Sequence, residues 1–340
     1  MRLLRDDEPD DYGANEYEHY ESFLQHGENT SKLALGQAQE ARDFIEKIRS
    51  GGYLRMPWPD IDRLVQAMLP GFLVAIGGRG KAGKTTFLRD CFTAWTDIGK
   101  TVVYVGTETQ AAILRLAWAG IRCNVPVETA IDPYCPQAIL DRLMADVEIQ
   151  TTGPLARRAI FGDCTVATVA ELGKWVRFAK KSGAHALIFD HFGRMARGTG
   201  EQWQQAGGDA KAIKNLAKDN ELLIVMGAQL TQGEGGAWLG EHEIPGNASW
   251  AATSEIHREV DIGLQLWRPF KPGITAQQKR EARDDHTKVQ ALVQQNVMGV
   301  RVAAHRWKGS SMNQFAKLYV EQDQLHSHTA RPEGSDTYAE

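Results

Sequence analysis

The stretch GGRGKAGKTT, residues 77–86, sets Gly78, Gly83, Lys84 and Thr85 in the spacing G-x-x-x-x-G-K-[ST]. Each residue type there suits one task. Glycines allow backbone conformations that turn several N–H groups inward, making a concave anion nest at the start of a helix. The Lys84 ammonium reaches toward β- and γ-phosphates, and the Thr85 hydroxyl ligates Mg²⁺. The loop as a whole, Gly78, Arg79, Gly80, Lys81, Ala82, Gly83, Lys84, Thr85 and Thr86, therefore reads as a cradle for the phosphates of a nucleotide.

A metal at such a cradle needs a carboxylate to hold it, and hydrolysis needs a group to polarise water. HALIFDHFG puts Asp190 at the end of an apolar run, the position of a metal-holding aspartate. Aspartate at a strand end is common, so that assignment leans on the upstream loop. Glu108 follows the apolar run of VVYVGTETQ, where a carboxylate can point into a cleft at strand C-termini. From the residues alone, Glu108 reads equally as an exposed or capping glutamate. His191 reads as a strand-end packing residue.

These residues need a frame. From about residue 60, short apolar runs alternate with helical patterns, which predicts an α/β domain with a mostly parallel sheet. Strands are expected at 71–76, 101–106, 185–190, 221–227, 261–267 and 300–307, and helices at 84–97, 110–122, 168–182 and 206–219. Two polar, glycine-rich connections, 192–208 and 231–249, are longer than compact domains use without a functional reason or disorder. Ahead of this core, residues 1–30 are acidic and weakly patterned, as a flexible segment would be. In 31–52, Leu35, Ala38, Ala41, Phe44, Ile45 and Ile48 recur at helical spacing and Gly51-Gly52 offers a stop. The last twenty residues, 321–340, read as a flexible tail.

Composition narrows the classes. A formal net charge of −4 argues against coating nucleic acid by bulk charge, but not against a local basic channel. Nine acidic and two basic side chains fall in residues 1–30, so the remainder is net positive. Cys91, Cys123, Cys135 and Cys164 show no C-x-x-C pair, which reads as reduced thiols. No apolar run reaches the length that spans a bilayer, and the acidic N-terminus lacks an apolar signal core. The expectation is a cytoplasmic protein with no membrane partner.

In order along the chain, these motifs resemble the RecA-like core of DnaB-type replicative helicases. MPWPDIDRLVQAMLPGFLVAIGGRGKAGKTTFLRD is similar to the family's approach to its phosphate loop, and VVYVGTETQAAILRLAWAG to its "ser-leu-glu-met" segment. The second match puts Glu108 at the catalytic glutamate. ALIFDHFGRM matches the metal-aspartate strand, and IKNLAKDNELLIVMGAQLTQ resembles a helix–strand unit ending in the γ-phosphate-sensing glutamine, here Gln229. SEIHREVDIGLQLWR resembles the stretch that ends in "ala-asp", and AAHRWKGSS the arg-aromatic-x-gly end of phage and mitochondrial ring helicases. The last match makes Arg306 the arginine finger, which the family supplies from the adjacent subunit. The resemblance covers residues 53–320, about four-fifths of the chain.

The implied fold is a RecA-like P-loop NTPase core, a central mostly parallel twisted sheet flanked by helices, with a short N-terminal helical extension. The implied activity is ATP-driven (or other NTP-driven) 5′–3′ translocation on single-stranded DNA by a hexameric ring that unwinds forked duplex during replication, with Mg²⁺ as cofactor. A primase or a helicase loader is the implied further partner, and a bacterial host cytoplasm the location if the chain is phage- or plasmid-encoded. Arg194, Arg197 and Lys211, with Trp203, give the first long connection the cations and aromatic ring that single-strand binding uses. The second carries Trp238 and Trp250 but also Glu234, Glu241 and Glu243, and reads equally as a surface flap.

Departures from the family pattern leave alternatives open. Ala304 stands where the family often has lysine, and Lys308 is either its substitute or a turn residue. Segments 124–160 and 271–297 exceed the minimal core, and only 1–52 precede it, too little for a helical collar or a fused primase. The 31–50 helix is either a linker packing on the neighbouring protomer or a helix folding on its own core. Two other readings stand beside the helicase: a RecA-like recombination or mediator ATPase, and a nucleotide-gated adaptor that does not hydrolyse.

Overall fold

The computed structural model describes residues 36, 38–46, 48–130, 132–164, 167–192, 202–230, 242, 244–245, 254–282, 285–321 and 324–327. The chain divides into two compact units, Met1–Gly52 and Tyr53–Glu340. In the first, residues 38–46 form helix α1, on which Phe44 and Ile45 are exposed.

In the second unit the apolar runs become β1 (Leu73–Gly78), β2 (Val102–Gly106), β4 (Ala186–Asp190), β5 (Leu223–Gln229), β6 (Ile262–Trp267) and β7 (Val297–His305). Three further strands, β3 (Ala159–Asp163), β8 (Phe315–Glu321) and β9 (Gln324–Ser327), complete a sheet of order β3-β2-β4-β5-β1-β6-β7-β8-β9. The first six in that order run parallel, and β7 to β9 are antiparallel. β9 corrects the expectation of a wholly flexible tail. Its main chain is held at Leu325, whose N–H donates to Asp90 and whose carbonyl accepts the Trp58 indole N–H.

The helices of this unit are α2 (Pro59–Val65), α3 (Lys84–Asp97), α4 (Ala111–Arg122), α5 (Val127–Ala130), α6 (Gln137–Thr152), α7 (Val169–Lys181), α8 (Gln202–Asp219), α9 (Ser254–Glu259), α10 (Ala276–Ala282) and α11 (His286–Leu292). Parallel strands joined by crossover helices must be covered on both faces, and every residue of β1, β2 and β4 is buried. On one face Val74 and Ile76 meet Phe87, Leu88, Phe92 and Trp95 of α3. On the other, Leu73 and Ala75 join Leu172 and Val176 of α7 and Ala210 and Ile213 of α8. Burying each large apolar side chain stabilises by about 1.5–3 kcal/mol. α7 starts where Thr168 accepts the Glu171 N–H, a capping arrangement written in the T-x-x-E spacing. The consequence for the site is rigid alignment: four parallel strands end side by side at one edge of the sheet.

Candidate nucleotide site at the strand ends

Register brings the predicted residues together. Gly78 at the end of β1 pairs with Gln229 at the end of β5, and Gly106 at the end of β2 pairs with Asp190 at the end of β4. The cradle leaves β1 and enters α3 through Gly83, whose φ of 94° is the left-handed conformation that glycine adopts without strain. A Cβ on Gly83 would meet the flexible end of the Met298 side chain, 2.5 Å from its Cε, which can give way, so the backbone conformation is what calls for glycine. Lys81 takes a positive φ of 58°, and a Cβ on Gly78 would lie 2.9 Å from Lys84 Cγ and 3.1 Å from Ala82 Cβ.

Lys84 is the centre of this loop. It is buried, and its ammonium donates to the carbonyls of Gly78 at 2.9 Å and Arg79 at 3.1 Å, and to Gln229 Oε1 at 3.2 Å. Burial lowers its pKa, and the carboxylates of Asp190 and Glu108 oppose that shift. Thr85, in the first turn of α3, is exposed and Thr86 is half-buried.

Asp190 is buried, and its Oδ2 accepts the Tyr104 hydroxyl at 2.8 Å. Its Oδ1 is buried without a hydrogen-bond partner among the described residues. Such an oxygen is costly to leave unpaired, which suits a carboxylate whose second oxygen faces a cation. Gly227 keeps the space beside it: a Cβ there would lie 3.1 Å from Asp190 Oδ1. The described residues contain no cluster of three metal-ligating side chains, so a divalent cation here would rest on Asp190, Thr85 and phosphate oxygens. The residues present fit Mg²⁺ on that pattern.

Glu108 lies in the turn after β2, with its Oε1 3.2 Å from His191 Nε2. A carboxylate only accepts, so the ring donates from Nε2. Burial lowers the His191 pKa despite Glu108 and Asp190, which keeps the ring neutral at pH 7. Thr107 ties the two turns together, its N–H donating to the Asp190 carbonyl at 2.7 Å and its Oγ1 accepting the His191 N–H at 3.0 Å.

Two residues at this edge, Tyr104 and Arg268, are not singled out by sequence reasoning, and a third, His191, is given a packing role. Tyr104 reads as a core aromatic, yet its hydroxyl holds Asp190; burial first, then Asp190, raises its pKa well above the usual value. His191 reads as packing, yet it bonds Glu108. Arg268, just past β6, has Nη2 3.5 Å from where a Gly83 Cβ would stand, and burial lowers its pKa. The only sequence signal for it is an arginine immediately after an apolar run.

Arg306 lies elsewhere. β7 runs antiparallel to β6, so His305 pairs with Ile262 at the start of β6, and the Arg306 N–H donates to the Asp261 carbonyl at 2.8 Å. Arg306 therefore occupies the sheet edge opposite the cradle. At roughly 3.3 Å per residue, five steps of β1 alone separate the edges by about 16 Å. Lys308 is spoken for in its own chain, donating from Nζ to the Arg63 carbonyl near the end of α2 at 2.8 Å. Lys211 is exposed on α8, while Arg194 and Arg197 lie outside the described residues. All four cysteines are free of disulfides, and no helix among the described residues is long and apolar enough to cross a membrane.

Comparison with known proteins identifies the family and the fold. Residues 54–304 match the family model for the DnaB-like helicase C terminal domain. Among solved structures the fold is similar to that of an ATPase domain, with a TM-score of 0.64 and 14% identity over 85% of this chain and 98% of that one. It is similar as well to a DnaB-like replicative helicase studied for its interactions with primase, with a TM-score of 0.63 and 14% identity over 85% of this chain and 66% of that one. No curated protein matches the chain.

Proposed function

Because the chain belongs to the DnaB-like helicase C terminal domain family and so has the ATP-dependent helicase core of the DnaB type, we propose that its subunits form a hexameric ring. The ring hydrolyses ATP between neighbours and moves 5′ to 3′ along single-stranded DNA, opening forked duplex. The observation that supports this most directly is the meeting of Lys84, Gln229, Asp190 and Glu108 at adjacent strand ends.

In this reading the cradle N–H groups and Lys84 hold the β- and γ-phosphates. Gln229, already in contact with Lys84, reports whether the γ-phosphate is present. Asp190 and Thr85 hold Mg²⁺, which when bound neutralises charge on the phosphate oxygens. Glu108 polarises the attacking water, and the His191 N–H orients its carboxylate. Arg306, too far from its own cradle, serves the next subunit's, which would tie each hydrolysis to a subunit contact. Arg194, Arg197 and Lys211 track the strand's phosphates. Helix α1, with Phe44 and Ile45 exposed, is the proposed linker to a neighbouring protomer. A primase or a loader is a proposed partner. Residues 1–30 and 328–340, which the sequence reads as flexible flanks, lie outside the described residues.

Steady-state ATP hydrolysis with and without single-stranded DNA tests the reading. Strong stimulation is expected, and an Arg194→Ala/Arg197→Ala double variant should bind the strand more weakly. Each phosphate contact on a single strand contributes about 0.7 to the slope of log affinity against log salt, so the slope should flatten by about 1.4. Turnover indifferent to DNA would remove the translocase reading, and ATP binding without turnover would favour an adaptor.

Glu108→Gln isolates the hydrolytic step. The amide keeps an acceptor for His191 but is no base, so turnover should fall by about 10²–10⁴ while ATP binding and assembly persist. Unchanged turnover would return Glu108 to a surface role.

A further inference from the structure

We infer that Asp261 is the positioning residue for Arg306: with the last turn of α9 it forms the seat from which a subunit presents its arginine to the neighbouring site. The inference rests on the inter-subunit reading of Arg306 given above. Asp261 immediately precedes β6 and is 1% exposed. A carboxylate buried so deeply is costly unless its oxygens are met by donors or cations. Its Oδ2 accepts the Leu73 N–H at 2.8 Å and the Lys214 ammonium at 2.6 Å, and its Oδ1 faces Arg306 Nη1 at 3.5 Å.

The two cations are not equivalent. Lys214, on α8, is largely buried and also donates to the Gly71 carbonyl at 2.8 Å, so it neutralises the carboxylate for good. The Arg306 side chain is 41% exposed, and 3.5 Å is a loose contact. Its firmer hold is one hydrogen bond from Nη2 to the Arg258 carbonyl at 3.1 Å, with the Glu259 carbonyl farther off at 3.4 Å. This grip fixes where the guanidinium rests without competing with a phosphate, which offers it paired charged acceptors. An unseated arginine would have rotamer entropy to lose on reaching a phosphate. The seat removes part of that cost beforehand, and a displacement of about 1 Å in such a group can lower a rate by about 10²-fold.

Asp261→Asn keeps an acceptor for the Leu73 N–H and removes the charge. The test places it on one side of the subunit boundary at a time. In a mixture, Arg306→Ala subunits bring an intact cradle and Lys84→Ala subunits bring an intact arginine. This control mixture should regain turnover; if it stays inactive while mixed assembly is verified, the inter-subunit reading fails and the inference with it. With the control active, Asp261→Asn on the arginine-donating subunits should lower the regained turnover by about 10- to 100-fold, with nucleotide affinity unchanged. On the cradle-donating subunits it should have little effect. Equal losses from either side, or no loss from either, would overturn the inference. Equal losses would mean that Asp261 acts through β1 and the fold. If Asp261→Asn does not assemble, Asp261→Glu keeps the charge and moves it by one methylene. It should show the same one-sided loss to a smaller degree, and a symmetric effect would again overturn the seat.

Discussion

A Lys84→Ala protein is expected to keep its fold and to hydrolyse ATP no faster than a protein-free blank. Lys84 stands on the first turn of α3, where alanine is a good helix former, and the α3 residues that hold the sheet are others, Phe87, Leu88, Phe92 and Trp95. What disappears is one buried cation whose donors reach Gly78, Arg79 and Gln229. Burial lowers its pKa, but the opposing carboxylates favour the charged form, and a charge is what a triphosphate requires. Hydrogen bonds to charged groups are worth about 1.5–3 kcal/mol, so nucleotide binding should weaken by about 10- to 150-fold. Turnover should fall further, because charge moving onto the phosphate oxygens in the transition state would have lost its nearest cation. Phosphate release and equilibrium binding of a fluorescent ATP analogue check both parts. Turnover near that of the unaltered protein would take the cradle out of the chemistry altogether.

The contacts of Lys84 show why one part of the site is legible in sequence and another is not. Gly78, Gly83, Lys84 and Thr85 fall within one turn of chain, so local spacing alone announces an anion nest. Asp190 and Gln229 each end a fully or nearly fully buried strand, and such strands are visible as continuous apolar runs. Tyr104 and Asp190 are 86 residues apart, and nothing near Tyr104 in TVVYVG distinguishes a hydroxyl that holds a carboxylate from an aromatic that fills a core. His191 has the same difficulty, since its partner Glu108 is 83 residues away. Asp261 reads as a polar residue leading into a strand, and its three partners come from β1, α8 and the end of β7.

The sheet divides along similar lines. Its central strands are apolar on both faces and stand out, whereas the edge strands do not. β3 is a five-residue strand after Arg157 and Arg158, with only Ala159 and Gly162 fully buried. Trp175 lies across Gly162 so closely that a Cβ there would be 2.3 Å from its ring, a packing partner that the sequence does not place. β8 and β9 are half exposed, and QLHS has too little apolar character to mark a strand without its neighbour. Helices α5 and α6 and the start of β3 fall in the 124–160 segment that exceeds the minimal core, and α6 packs on α4 through a small core in which Leu143 joins Ala119 and Val125.

Replacing Arg306 by alanine is expected to lower turnover by about 10³–10⁵, the range associated with an arginine that matches transition-state charge. Nucleotide affinity should hardly change, because the residue lies at the sheet edge opposite its own cradle and, among the described residues, its side chain meets Asp261 and the end of α9. The side chain is partly exposed and its hydrogen bonds are to main-chain carbonyls, so truncation should cost the fold little. Stability and binding that hold while turnover collapses would separate a catalytic loss from a structural one. The decisive quantity is what mixing restores. In a head-to-tail ring each site joins one subunit's cradle to the next subunit's arginine, so a random one-to-one mixture of Arg306→Ala and Lys84→Ala chains leaves about one quarter of the sites complete. Independent sites would then return about one quarter of the original rate, and a smaller return would measure how far one site waits on its neighbours. If Arg306 instead served its own chain, no mixture could complete a site, and turnover would stay at the level of the inactive parents. Recovery is therefore expected only if the arginine crosses the subunit boundary, which is where its distance from Gly78 sends it.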